Sequence, residues 1–385
     1  MSNRMMVRYR VQCPPEAIEA RAQALAIEQS IEMPVQAVRD TRVRAEVLGQ
    51  VAAIEPTVGP GDAFEVTLAL AAETVGDEPG QLMNMLFGNC SLQPDVELLD
   101  AVLPPSMLTA LPGPRFGIEG WRAAVGDGAA GRPLSCAALK PQGMSAHALA
   151  ALAYVLARAG IDVIKDDHGL ADQAAAPFAQ RVPAVQQAVE RANREKAAAD
   201  GALAGHRSLY APSLSGGPER LSAQLRIVHA EGVRAALACP MIIGVPAFVE
   251  LLRAHAGVPL LAHPALAGHA RIGAPLLLGR LFRLFGADAT IFPNWGGRFS
   301  YPRTTCLAIA ECARAPLGSH APALPVPAGG MSVERVDEIL DDFGADTMLL
   351  IGGDLLAAGD AMAARAAAFA ARVARATRAR ETTDD

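Results

Sequence analysis

Two of the chain's three lysines stand in Lys140-Pro141 and Lys165-Asp166-Asp167, and each closes a short apolar run, Leu134 to Leu139 and Ile161 to Ile164. Positive charge elsewhere is carried by 31 arginines in 385 residues. Arginine stays protonated, whereas a desolvated lysine sheds its proton and then acts as a base or a nucleophile. Lys140 and Lys165 are therefore the first candidates for chemistry. Asp167 beside Lys165 suits either a charge cluster around a divalent ion or a buried salt bridge. Other apolar runs also end in polar or glycine-rich turns: His263-Pro264, Asn294 with Gly296-Gly297-Arg298, Ala328-Gly329-Gly330 and Gly352-Gly353-Asp354. Backbone N–H groups exposed in glycine pairs cradle an anion. Gly329, Gly330, Gly352 and Gly353 are thus candidate phosphate-binding residues, with Arg298 on a glycine-flanked loop to close over the anion. Lys196, in Arg194-Glu195-Lys196, reads as an ordinary solvated helix charge.

These side chains need a scaffold that brings strand ends to one face. From about Gly120 the sequence repeats strand then helix. Eight apolar runs stand out: Leu134–Leu139, Ile161–Ile164, Ser208–Ala211, Ala235–Leu237, Pro259–Ala262, Ala289–Phe292, Leu324–Pro327 and Thr347–Ile351. Helical patterns lie between them, among them Ala146–Arg158, Pro218–His229 and Val333–Asp342. This fits a (β/α)8 barrel, whose chemistry sits at the C-terminal ends of its strands and whose phosphate site follows strands seven and eight. No GxGxxG follows the first strand to favour an open doubly wound sheet. The earlier residues read as a mixed unit, with strands at Met6–Gln12, Val43–Ile54 and Ala63–Leu70 and a helix opened by Pro14-Pro15. The fold class expected is α/β: an N-terminal ferredoxin-like α+β domain over residues 1–118, then a TIM barrel over 119–385.

Bulk properties remove several classes of partner. Net charge is −6 and no basic block is long enough for nucleic acid. Pro240, Pro246, Pro259 and Pro264 break the longest uncharged stretches, so no membrane helix is expected. The N-terminus lacks a signal-peptide pattern. The six cysteines form no CxxC and read as reduced thiols of a cytoplasmic protein.

The segment from Phe87 to His168 resembles ribulose-bisphosphate carboxylase (RuBisCO), and more closely the RuBisCO-like proteins that share its fold but not its reaction. The resemblance runs from Ala26-Ile27-Glu28-Gln29-Ser30 through Phe87-Gly88-Asn89, Gly113-Pro114-Arg115-Phe116-Gly117 and Leu139-Lys140-Pro141, and on to Ala328-Gly329-Gly330 and Ile351-Gly352-Gly353. It is strongest at Gly160-Ile161-Asp162-Val163-Ile164-Lys165-Asp166-Asp167. It implies that Lys140 is the proton-abstracting lysine, that Lys165 takes up CO2 as a carbamate which binds Mg2+, and that Asp167 is the second metal ligand. It also implies a homodimer with shared active sites, in which Glu28 and Asn89 reach the barrel mouth of the partner. His263 matches a histidine of the carboxylase site, and Gly330, Gly352 and Gly353 match one of its two phosphate cradles.

The chain departs from that pattern where it matters most. His168 stands where the third metal ligand is normally Glu. Mg2+ prefers oxygen donors and imidazole suits softer metals, so the resemblance leaves Mg2+ bound weakly, another divalent metal, or no metal. Alternatively, His168 is a general acid or base. Gln142 replaces the second lysine of the Lys-Pro motif. Pro264, an apolar residue near Phe292, and Ala328 replace the second phosphate cradle, so the substrate carries at most one phosphate. The expectation is a non-carboxylating enzyme acting through an enolate on a monophosphorylated sugar or sugar acid, as an isomerase or enolase or as a 3-oxo-acid decarboxylase. The alternative is a catalytically silent homologue that binds a metabolite or regulates.

Overall fold

The computed structural model describes residues 3–57, 61–199, 201 and 203–376. They form two compact units: Met1–Pro112 with Leu266–Leu277 and Leu317–Ser319, and Gly113–Ala265 with Leu278–Pro316 and His320–Asp385. Among the described residues no helix is long and apolar enough to cross a membrane.

The first unit holds strands β1 (Arg4–Gln12), β2 (Gln50–Pro56), β3 (Ala63–Ala71) and β4 (Val96–Val102) in the order β2-β3-β1-β4. All three pairings are antiparallel. β1 alternates, burying Met5, Val7, Tyr9 and Val11, as a one-sided sheet requires. Helices Ile18–Glu28 and Pro79–Phe87 complete the ferredoxin-like order. The Tyr9 hydroxyl donates to Leu86 O at 2.7 Å, and Gln29 Nε2 donates to Met85 O at 2.8 Å, which ties the two helix ends to the sheet. One expected strand is corrected. Val43–Val47 is a helical turn, and the strand begins only at Gln50. The carboxylate of Asp40 accepts from Arg42 N at 2.8 Å and Val43 N at 3.3 Å and so caps that turn. The alternation of Val43, Ala45 and Val47 mimics a strand. β4 and the helix Pro79–Phe87 had no counterpart in the sequence reading.

The second unit is a parallel barrel. Its strands are β5 (Leu134–Leu139), β6 (Val163–Asp166), β7 (Leu209–Ala211), β8 (Ser213–Leu214), β9 (Ala236–Ala238), β10 (Leu260–Ala262), β11 (Ala289–Pro293), β12 (Leu324–Ala328) and β13 (Met348–Ile351). They follow the order β7-β6-β5-β13-β12-β11-β10-β9-β8. β7 pairs with β6, and β8 pairs with β9. Only Pro212 separates β7 from β8. Proline has no N–H to give a ladder, so the nine segments are eight strand positions with the third interrupted.

The side-chain period of two decides what the barrel aims at its mouth. Leu134, Cys136, Val163, Leu209, Ala211, Leu237, Leu261, Ala289, Ile291, Val326 and Met348 belong to one buried cluster that fills the interior. Continuing the same parity toward the C-terminal ends reaches Lys140, Lys165, Asp167 and His263. The opposite parity faces the helical layer: Thr290 Oγ1 donates to Leu278 O at 2.8 Å and the Phe292 ring meets Phe343. The apolar replacement for the strand-six histidine is therefore Ile291, which lies in the interior cluster.

Candidate active site

Lys140 Nζ lies 2.8 Å from Asp167 Oδ2, and His168 Nδ1 lies 3.0 Å from Asp167 Oδ1. Burial works against the Asp167 carboxylate, but the bonds from His168 and Lys140 outweigh it and hold the carboxyl well below the usual carboxylate range. An ionised carboxylate only accepts, so both neighbours donate to it. The imidazole of His168 stacks on that of His263, with centroids 4.1 Å apart and planes 11° apart. His263 follows β10, on the far side of the barrel order from β5 and β6. The ends of β5, β6 and β10 thus converge on one cluster.

The other members of that cluster are held just as firmly. Lys165 is 2% exposed and its Nζ donates to Asp166 O at 2.8 Å. Desolvation lowers its pKa from the lysine value, which readies the amine to lose its proton. Burial, with Lys165 and His168 nearby, pushes His263 down to about 2, so this ring is neutral. Its Nδ1 accepts from Ala265 N at 3.1 Å, which leaves the proton on Nε2.

The loop that carries Arg298 and the turn at Gly329-Gly330 pack backbone against backbone. A side chain at Gly330 (φ 63°) would meet Gly296 O at 2.6 Å, so only glycine fits. Arg298 itself is exposed and lies over the Phe299 ring, 4.7 Å from its centroid. Gly352 and Gly353, after β13, have open space around them. In the first unit, Asn89 Nδ2 donates to Glu28 Oε1 at 3.3 Å, and both line a cleft with Glu32 and Asn84.

Three features escaped the sequence reading. Asp166, on the outward parity of β6, is fully buried against Arg181 Nε (3.1 Å), Tyr210 Oη (2.8 Å) and Ser213 N (3.0 Å), and this clamp fixes the strand end that carries Lys165 and Asp167. An arginine in the first turn of the helix Phe178–Ala197 gave no hint of it. Cys239, on the inward parity after β9, feels both Lys165 and Asp167, and burial raises its pKa to about 11. Lys196 is a correction: it is 3% exposed, not solvated, and its Nζ bonds His206 Nδ1 and Ser208 Oγ, each at 2.9 Å.

Mg2+ does not fit these donors as they stand. It demands oxygen ligands, and the cluster offers one carboxylate with both oxygens already held, two imidazoles and two amines. Among the described residues no group of three or more His, Cys, Asp or Glu side chains is placed to hold a metal ion.

A ferredoxin-like unit and a parallel barrel with two lysines at its strand ends define the class built like the RuBisCO large chain. The family model for the ribulose bisphosphate carboxylase large chain, catalytic domain, matches residues 118–288. Ribulose bisphosphate carboxylase-like protein 1 of Rhodopseudomonas palustris is 52% identical over 94% of this chain and 95% of its own. The 5-methylthioribulose-1-phosphate isomerase of Rhodospirillum rubrum is 49% identical over 94% of this chain and 93% of its own. The crystal structure of a Rubisco-like protein from Rhodopseudomonas palustris superposes with a TM-score of 0.88 at 47% identity, covering 97% of this chain and 99% of that one. The chain belongs to the RuBisCO-like proteins.

Proposed function

We propose that the protein is an enolising isomerase of a monophosphorylated sugar, with 5-methylthioribulose 1-phosphate as the substrate to test first. The observation that carries this reading is the contact chain Lys140–Asp167–His168–His263, which joins three strand ends at the barrel mouth. The near full-length relative of that name supports the substrate. Lys140 moves a proton at the carbon beside a carbonyl, and neighbouring polar groups stabilise the developing oxyanion. The open backbone at Gly352 and Gly353 takes the single phosphate, with Arg298, Gly329 and Gly330 beside it. Pro264, Ile291 and Ala328 leave no second cradle, which argues against a bisphosphate and against CO2 fixation. Loss of CO2 from a 3-oxo acid would use the same enolate, but the relatives named above favour proton relocation.

Lys165 suits the carbamate implied by the resemblance, because a desolvated amine is the form that attacks CO2. A carbamate there would add the oxygen donor that the cluster lacks. Glu28 and Asn89, paired on one unit, are proposed to serve the barrel of a second copy in a homodimer. Deuterium exchange into 5-methylthioribulose 1-phosphate in D2O tests the reading. Wild type is expected to exchange and to form an isomer, and Lys140→Ala to lose roughly 10²-fold or more of both rates. A wild-type protein inert toward this sugar phosphate removes the assignment.

A further inference from the structure

The third ligand position of the family holds a histidine here, and its geometry is that of an oriented base. Asp167 accepts the Nδ1–H of His168 on one oxygen and the Lys140 ammonium or amine on the other. Nδ1 is thereby spent and Nε2 is the free ring nitrogen. His263 lies flat against the ring and limits its rotation. A carboxylate behind a histidine fixes tautomer and plane in this way wherever the histidine shuttles protons. The half-exposed Lys140 and His168 side chains face substrate space, whereas Asp167 is buried between them.

Resting on the isomerase reading, we propose that His168 is the second acid–base residue of the reaction, that Asp167 is its positioning residue and shares its carboxylate with Lys140, and that His263 is the platform on which the His168 ring lies. The Lys140 amine takes a proton from the carbon next to the carbonyl. The C–H pair becomes the C=C bond, and the carbonyl oxygen takes the proton from His168 Nε2, giving an enediol. His168 then removes the proton from the neighbouring hydroxyl, the new C=O forms there, and Lys140 returns its proton to the other carbon. Protons and electrons balance, and both residues end as they began. Lys140 governs the carbon protons and His168 the oxygen protons.

That division of labour separates the variants. With 5-methylthioribulose 1-phosphate in D2O, His168→Gln keeps an amide donor for the developing oxyanion but cannot transfer a proton, so deuterium wash-in is expected to fall about 10- to 10²-fold while isomer formation, which needs His168 twice, falls roughly 10³–10⁴-fold. Equal loss of both rates would overturn the proposal. So would a wild type silenced by EDTA and restored by Mg2+, with His168→Glu active under the same Mg2+ and bicarbonate, because His168 would then be a ligand. The pair is also read without substrate. Proton NMR of the ¹⁵N-labelled chain is expected to show a downfield Nδ1 proton of His168 that is lost in Asp167→Asn and persists in Lys140→Met. Absence of that proton from wild type sinks the pair even if the isomerase reading stands. Its presence in a protein inert toward the sugar phosphate sinks only the isomerase reading.

Discussion

Replacing Lys196 by methionine should change how stability depends on pH, by an amount the fold sets. Burial lowers the Lys196 pKa from 10.5 to about 8 despite the pull of Asp162. The unfolded chain therefore binds the proton more tightly than the fold between those two values. Stability rises with pH wherever the unfolded state holds more protons. The burial penalty on the ammonium is present in full below about pH 8 and fades as pH climbs toward 10.5. At about 1.4 kcal/mol per pH unit the whole penalty is on the order of 3 kcal/mol, and about 2.5 kcal/mol of it is relieved between pH 7 and pH 10. Lys196→Met carries no such proton. It removes the penalty at pH 7 but leaves His206 Nδ1 without its donor, which costs about 1–3 kcal/mol, so the two proteins should be similar in stability there. Urea unfolding of both at pH 7 and pH 10 gives the double difference, in which tyrosines, cysteines and the other two lysines cancel. Wild type should gain about 2.5 kcal/mol over the variant on going to pH 10. A difference that stays constant between the two pH values would mean that the amine is solvated, and the burial argument would fail.

Two further outcomes follow from the site's supports. Arg181→Met leaves the fully buried Asp166 carboxyl without its guanidinium and strips the donors from the carbonyls of Leu170, Ala171 and Ala176, so the barrel should lose about 3–5 kcal/mol in urea unfolding; a loss under 1 kcal/mol would mean that the clamp around β6 is not structural. Gly353→Asp adds a carboxylate where nothing lies within 4 Å, so the melting temperature should hold while inorganic phosphate, followed by calorimetry, binds at least ten-fold more weakly; unchanged binding would move the anion site elsewhere.

The barrel was legible because most of its strands are apolar on both faces and stop at a polar or glycine turn. A sheet buried on both sides must read that way. Leu134–Leu139 and Ala146–Arg158 fall where the pattern puts them, and β6 is shifted two residues later than the expected Ile161–Ile164, to Val163–Asp166. Lys140, Lys165, Asp167 and His263 were legible as strand-end residues. Their mutual contacts were not, because a turn sequence does not state which neighbour its side chain will meet. Val43–Val47 shows the limit in a single turn: its alternation is that of a strand, and a carboxylate three residues upstream overrides it. Lys196 shows the limit at longer range. Its sequence neighbours are charged, but its partners His206 and Ser208 lie beyond the end of its own helix and approach from beneath β7.

The scarcity of lysine has a physical reading that Lys196 sharpens. Buried arginines in this chain use the whole fork. Arg181 reaches Asp166 and the carbonyls of Leu170, Ala171 and Ala176, and Arg283 reaches those of Ala315, His320 and Ala321. Lysine stands where one nitrogen must meet a single acceptor or a small group of them: Asp167 for Lys140, Asp166 O for Lys165, and His206 with Ser208 for Lys196. An arginine at Lys165 or Lys196 would bring donors that find no acceptors and a charge it cannot shed. Scarcity therefore marks places that need a compact, deprotonatable amine, and it does not by itself mark catalysis. Lys196 meets that need at the base of the barrel, near the N-terminal ends of the strands where conservation of stability rather than chemistry is the rule for this fold. What separates Lys140 and Lys165 from it is the end of the strand on which they stand. Inward strand parity and the C-terminal strand end together set Lys140 and Lys165 apart, and Lys196, which stands on the helix Phe178–Ala197, has neither.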